Sequence, residues 1–408
     1  MFDSIYSADT GLQSFSKALN VLSNNVANMN TPGFKGSDVT FRDLLYHYST
    51  SGGQEGETES QVGEGSATSG TRIDFAQGQL TNTGNPLDVA ITGDGFFVLH
   101  DGASTSYTRE GQFKVDGKGY LVDTTSGARV EAIDAKGSLQ DINLASLQAS
   151  PAKATSSVTF VGNLSRDATS DQIGSITVYD AVGGSHTLTV NFTSNNSTQA
   201  GAWAVQVQDE KGNTVGSGQI QFGSDGSPAA GFNSITCNLA PSGVPKSTFT
   251  LGFGDPGSFS GATNFSGGST SDLKMNTQDG YAAGSLLTTS FDAQGFVTLQ
   301  YSNGQTTKGP QLALAWFDNL QGLQQMGNEL FTNPSGMKPL LDKANGQVMG
   351  TLTSNELEQS NVDLTQQFTE LVIIQRGYQS SSQVISVTNQ MIQALMDIRS
   401  GGSGGGGG

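Results

Sequence analysis

The residues with the means to do chemistry are few and scattered. His47, His100 and His186 stand in unrelated surroundings, the first in a polar stretch and the others in strand-like runs. A histidine base or ligand needs a chemical partner beside it, and these three share none, so satisfied or solvent-exposed rings are expected. The one cysteine, Cys237, lies in FNSITCNLA, which alternates like a strand. There a thiol acts as a small apolar filler; alone it makes no intrachain disulfide and no cysteine-based metal site. Asp-Gly at 94–95, 101–102, 116–117, 225–226 and 279–280 offers carboxylates. Their spacing matches neither an EF-hand nor a nonapeptide calcium repeat. With Asn-Gly at 303–304 and 345–346 they read as tight hairpin turns. No nucleophile elbow, Walker loop or HExxH occurs. Trp203, Trp316, Phe96 and Phe97 sit in alternating runs and read as core; an aromatic groove on the surface is the lesser reading. The sequence therefore predicts no catalytic, cofactor-binding or metal residues, and the elements themselves must carry the function.

The chain has 408 residues, 35% of them hydrophobic, enough for two or three domains with their own cores. Only 13% are charged and the net charge is −17, which argues against nucleic acid, since that partner needs a basic face. LALAWF is among the longest apolar runs, so no segment reads as a membrane span. The first residues include Asp3, no basic residue before Lys17 and no continuous apolar core, so no cleaved secretory signal is expected. The chain either stays in the cytosol or leaves by a route that needs no such signal.

The two ends are helical. Ile5, Ala8, Leu12, Phe15, Leu19, Leu22, Val26 and Met29 follow one another at spacings of three and four, the pattern of a helix laid against another helix. Near the other end, Leu364, Phe368 and Leu371 open an apolar stripe that Ile374, Tyr378, Ile385, Ile392 and Leu395 continue. A second stripe, Val384, Val387, Met391 and Ile398, widens it, and Asp363 stands where a carboxylate suits a helix start. A solvated helix face usually carries roughly a quarter of charged residues. Here the first thirty residues carry three, and 361–398 carry four: Asp363, Glu370, Arg376 and Asp397. Small uncharged polar side chains meet other protein without the desolvation cost of ions. The pattern predicts helices touched on more than one face; an intramolecular two-helix stalk with wet polar backs is the alternative. The first helix ends deliberately. Asn28 and Asn30 suit left-handed or capping roles, Pro32 cannot continue a helix, and Gly33 and Gly36 around Phe34 tolerate unusual dihedrals. The apolar-poor run YHYSTSGGQEGETESQVGEGSATSG then reads as a loose connector.

Between the ends, short alternating runs such as GFFVLHDG and GSITVYDAVGGSHTLTVNF predict β-structure. Polar, Pro- and Gly-containing patches near 150 and 270 divide it into blocks, giving two β domains with the outer one inserted in the inner one. The tail SGGSGGGGG has linker composition and is set aside as a scar.

Three segments then resemble one family. LSNNVANMNTPGFKG, GNPLDVAITGDGFFVL and SNVDLTQQFTELVIIQRGYQSSSQVISVTNQMIQAL resemble, in order, the N-terminal signature, a strand pair and the C-terminal helix of bacterial flagellar rod and hook axial proteins. VTFVGNLS and YSNGQTTKGPQLALAWFDNLQGL are similar to the hook branch rather than the rod branch. The resemblance implies a non-enzymatic structural subunit without cofactor, exported unfolded and found outside the cell. It implies a helical homopolymer, a curved tube between rod and filament around an export channel. Expected partners are other copies, the hook cap, the distal rod, hook–filament junction proteins and the flagellar type III export apparatus, with no nucleic acid and no membrane insertion.

The expected fold is multidomain α+β. Terminal helices over 1–30 and 362–400 pair as a coiled-coil-like inner-tube domain. A flexible connector covers 31–75 and 346–361, an inner β domain 76–150 and 277–345, an outer inserted β domain 151–276, and a flexible Gly tail 401–408. The expected inner-tube contact residues are Ile5, Leu12, Phe15, Leu19, Leu22, Val26, Leu364, Phe368, Leu371, Ile374, Tyr378, Ile385, Ile392 and Leu395. The expected joint residues are Asn28, Asn30, Pro32, Gly33, Phe34 and Gly36. A distal-rod or junction role in the same family is the nearer alternative, and a surface adhesin on a helical stalk the more distant one.

Overall fold

The computed structural model describes residues 2–44, 46–49, 60–102, 104–346 and 348–401. Helix α1 (Phe2–Ala27) and helix α2 (Leu364–Gly401) bracket a chain that is otherwise mostly β. Asp363 caps α2: its Oδ1 accepts from the backbone N–H of Thr365 at 2.7 Å and of Gln366 at 3.2 Å, pairing two donors that a helix start leaves open. No helix among the described residues is long and apolar enough to cross a membrane. The chain divides into two compact units, one of residues 1–145, 289–298 and 308–408, the other of 146–288 and 299–307.

The first unit holds both helices and a ten-stranded antiparallel sheet. In spatial order its main path is Gln324–Gly327, Leu330–Thr332, Thr105–Thr108, Phe96–His100, Arg129–Ile133, Leu121–Asp123 and Phe113–Val115. Phe96 to Leu99 are all buried, because the strand is covered on both faces. Phe96 lies in an aromatic cluster with Phe75, Phe317 and Phe331, at ring distances of 5.7 to 6.1 Å, and Phe97 meets Phe113 edge-on at 5.2 Å. Trp316 is only half-buried.

The described parts of the segment expected as a loose connector form a two-stranded ribbon. Ser37–Asp43 pairs antiparallel with Ser66–Ile73, and Tyr46–Ser49 with Ser60–Gly63; residues 50–59 lie outside the described residues. The ribbon is laid along α1, with Ser14 and Lys17 bonded to Ser66 and Thr68 and the Phe15 and Phe41 rings 6.1 Å apart. Val39 and Phe41 sit two apart and so share one face; Val39 packs on the cluster of Ala18, Leu22 and Ile374, and Phe41 on Phe15.

The second unit packs a four-stranded meander over Ser170–Gln221 against a five-stranded sheet that includes Ser157–Asn163, Ser234–Leu239 and Ser247–Gly252. Trp203, Phe160, Phe192, Phe249 and Phe253 fill the space between. Cys237 is fully buried there, and burial pushes its thiol pKa up to about 12. The unit reaches beyond 151–276. Lys153 and Tyr281 exchange two backbone hydrogen bonds of 3.0 Å, and Ala149–Ser150 pairs with Gly284–Ser285, zipping the incoming and outgoing chain together.

The Asp-Gly signal is corrected in part. Turns at 101–102, 116–117, 225–226 and 303–304 join paired or bridged strands. Those at 94–95, 279–280 and 345–346 join strands that pair elsewhere. A better hairpin signal is Asp-x-x-Gly at 116–119, 134–137, 180–183, 209–212 and 292–295. In each the Asp Oδ1 accepts two backbone N–H groups, two and four residues on. His186 bonds the Asp180 carboxylate of one such turn at 2.8 Å, and His100 is half-buried at a strand end.

Candidate subunit interface

The helices meet along lines that share Ala8, Leu22, Leu371, Ile374, Ile385 and Ile392 with the apolar seams and elsewhere run through small or polar neighbours. In α1 the buried residues are Ala8, Gly11, Ser14, Ala18, Leu22 and Asn25. In α2 they are Gln367, Ile374 and Thr388, with Leu371, Gly377, Ser381, Ile385 and Ile392 half-buried beside them. Small side chains on these lines let the backbones approach. A Cβ on Gly377 would stand 2.6 Å from Phe15 Cζ, so the phenyl ring lies where any other residue would project. Glycine inside a helix costs up to about 1 kcal/mol relative to alanine, and the close approach of Phe15 accounts for its use here.

Of the expected contact residues, the structure brings Phe15, Leu19 and Leu22 of α1 together with Leu371 and Ile374 of α2. Ile5, Leu12, Val26, Leu364, Ile385 and Ile392 are half-buried. Phe368, Tyr378 and Leu395 are not in the helix pair; they are 54%, 41% and 51% exposed. A stripe drawn at multiples of 3.5 residues drifts around a helix of 3.6 per turn. The small residues Gly377 and Ser381 take the contact line instead.

Sequence patterning missed the polar groups that set the register. Asn25 is 2% exposed. Its Nδ2 donates to Ser37 O at 2.9 Å and Gln367 Oε1 at 3.0 Å, while its Oδ1 accepts from Ser37 N at 3.0 Å. One amide thus ties α1, α2 and the ribbon, the register-fixing use of a buried polar residue. Asn361 repeats this one step on, accepting from Gly36 N at 2.8 Å and donating to Asp74 O at 2.8 Å.

The expected joint is a clamped elbow. Neither Asn28 nor Asn30 takes a positive φ; the left-handed residue is Gly33, at φ +73°. A Cβ there would be 2.7 Å from Glu110 N, so only glycine fits. Asn28 closes the helix end, its Nδ2 donating to Asn24 O at 3.0 Å. Asn30 is exposed, Pro32 half-buried, and Phe34 and Gly36 are buried. Beside Phe34, Lys35 is fully buried, its Nζ 2.5 Å from Glu358 Oε1 and 2.8 Å from Ala76 O. Glu358 is also 3.4 Å from Arg109 Nη1, and its Oε1 accepts from Gly78 N at 2.8 Å. Burial holds the Lys35 and Arg109 pKa values below their usual range, against the pull of Glu358. Glu110, under Gly33, is pushed up to about 7, first by burial and then by Asp123. The sequence signal for this cluster was faint: Lys35 is the first charge after Lys17.

Three family descriptions match the chain in order. "Flagella basal body rod protein" covers residues 5–35, "Flagellar hook protein FlgE/F/G D1 domain" 90–174, and "Flagellar basal body rod FlgEFG protein C-terminal" 353–398. The matched segments are those of flagellar rod and hook proteins as a class. Along the full length, the chain is 32% identical to the flagellar hook protein FlgE of Treponema pallidum, covering 98% of this chain and 100% of that one. It is 31% identical to FlgE of Escherichia coli, covering 96% and 99%. It is 25% identical to the basal-body rod protein FlgG of Bacillus subtilis, covering 98% and 100%. A solved structure of Helicobacter pylori flagellar hook protein FlgE2 aligns with a TM-score of 0.49 at 13% identity, over 68% of this chain and 100% of that one. The chain belongs to the flagellar hook protein FlgE family.

Proposed function

We propose that this chain is the structural subunit of a bacterial flagellar hook, polymerising with its own copies into a curved tube that carries torque from rod to filament and encloses an export channel. One observation carries the reading: α2 leaves apolar side chains exposed on two sides. At about 100° per residue, Ile373, Val384, Val387, Met391, Leu395 and Ile398 fall along one side, all more than 40% exposed. Phe368 and Val372 fall on the far side, at 54% and 46%. A lone helix pair covers one side of each helix, so these stripes call for further chains.

In this reading the helices form the inner layer as a coiled-coil-like pair, and copies stack against their uncharged backs. The second unit is an outer domain inserted in the first. The Asn25 and Lys35–Glu358 clamps transmit force from the helices to the β body. Subunits leave the cell unfolded through the flagellar export apparatus and meet the hook cap, distal rod and junction proteins at their sites of use.

The test is electron microscopy after slow salting-out, comparing the full chain with residues 31–361. Tubes from the full chain only are expected; complete tubes from the truncated chain would contradict the reading.

A further inference from the structure

The geometry points to a specific head-to-tail contact between copies: we propose that the Phe368–Val372–Arg376 edge of α2 in one copy seats in the groove between α1, α2 and the ribbon of the next. This deepens the polymer reading and rests on it.

The groove has a volume of about 260 Å³ and is lined by Val21, Leu22, Val39, Phe41, Ile373 and Ile374, among others. A cavity of about 150 Å³ accommodates a benzene ring, so this one takes a phenyl group and an aliphatic neighbour. Asp38 and Glu370 stand on its wall. Gln366 donates to Glu370 at 3.2 Å, an interaction that leaves its charge uncancelled. The Asp38 carboxyl is held above its usual range by burial first, then by the charges of Glu370 and Asp74, with Arg72 opposing. The groove is therefore apolar inside and short of positive charge at its mouth.

The matching shape lies on the same helix. Phe368, Val372 and Arg376 are four residues apart and share one face. All three are exposed. Among the described residues Arg376 makes no ion pair. In a chain with 36 acidic and 19 basic residues, copies repel one another unless cations are placed at contacts. Arg376 and Arg399 are the only cations of α2. At about 100° per residue and taking Ile374 as reference, Glu370 and Ile373 lie to one side of the helix, Phe368 and Val372 to the other, and Arg376 nearly opposite Ile374. An edge and a groove on different sides of one molecule make a heterologous contact, which repeats into a ring or a helical array rather than closing as a dimer.

Cysteine cross-linking reads this directly, because the native thiol of Cys237 is buried and will not compete. The full chain carrying Ser37→Cys and Val372→Cys is assembled into tubes and oxidised. A ladder of covalent multimers is expected from the double variant and from neither single one. As an independent readout, Arg376→Glu should raise the concentration needed for tubes by about tenfold or more, and adding Glu370→Arg should bring it back to within about threefold. Wild-type tubes, double-cysteine tubes without a ladder, and Arg376→Glu tubes at the wild-type concentration would together overturn this contact while leaving the polymer intact. Failure of the wild-type chain to form tubes, even on a hook nucleus, would instead overturn the polymer reading.

Discussion

The second compact unit and the helix pair draw on the same palette of Ser, Thr, Asn, Gln, Gly and scattered apolar residues, yet they end in opposite states. In the second unit, alternation with a period of two turns one face of each strand onto a facing sheet of the same chain. Trp203, Phe160, Phe192, Phe249 and Phe253 are at most 2% exposed. Among the described residues of the helices, the buried apolar side chains are Ala8, Ala18, Leu22 and Ile374, while larger ones such as Met396 and Ile398 are 68% and 73% exposed. A strand finds its cover within one fold. A helix with apolar residues on two sides and one partner does not. Between these extremes stands the elbow, where the contacts are polar, buried and few.

The largest effects are expected at single buried groups. Trp203→Ala should cost the second unit about 3–5 kcal/mol, read as a lower denaturant midpoint for that unit. Glu358→Ala leaves Lys35 and Arg109 buried without their anion. A loss of about 3–5 kcal/mol is expected, with proteolysis opening the elbow while the Trp203 unit stays resistant. Asn25→Ala removes three hydrogen bonds and strands the Gln367 amide. About 1–3 kcal/mol is expected, seen as lost helical circular dichroism and unchanged β signal.

Acid and base should separate the units by sign. Glu110 keeps its proton in the folded chain up to about 7, whereas an unfolded glutamate ionises near ~4.3. Its contribution is therefore complete below the unfolded value and lost as pH rises through about 7. In the second unit, the Asn213 side-chain bond lowers the Asp209 pKa. At Asp180, burial pushes upward but the bonds from His186, Gly184 and Val182 outweigh it. Such carboxylates stabilise above their ordinary pKa and that stability goes as pH falls. Urea melts from pH 2 to 8 should show the elbow weakening toward pH 8 and the second unit weakening below about pH 4. Parallel slopes would remove this distinction. The smallest change in the monomer is expected at the exposed end of α2: Ile398→Asp should leave monomer stability within about 0.5 kcal/mol while suppressing tubes.

Much of this was legible in the sequence because it is periodic. The two helices, their placement at opposite ends, the Asp363 cap and the burial of Phe96, Phe97 and Trp203 follow from spacing and residue type. The contact line between the helices did not, because it runs through Gly377, Ser381, Thr388 and Asn25, which no hydrophobic pattern marks. The elbow was read as loose from its glycines and asparagines. Its order comes from Lys35, Arg109 and Glu358, residues up to 323 positions apart that only tertiary pairing brings together. Asp-Gly misled at 94–95, 279–280 and 345–346 because a dipeptide bends the chain without choosing which strands then pair.

The central claim is that the helices are completed by other copies and the β body is complete in itself. Hydrogen exchange read by mass spectrometry, on monomer and on assembled tubes, tests it most directly. Amides of 372–398 should exchange quickly in the monomer and slowly in the tube, while the strand carrying Trp203 is equally protected in both. Slow exchange of 372–398 already in the monomer would contradict the account.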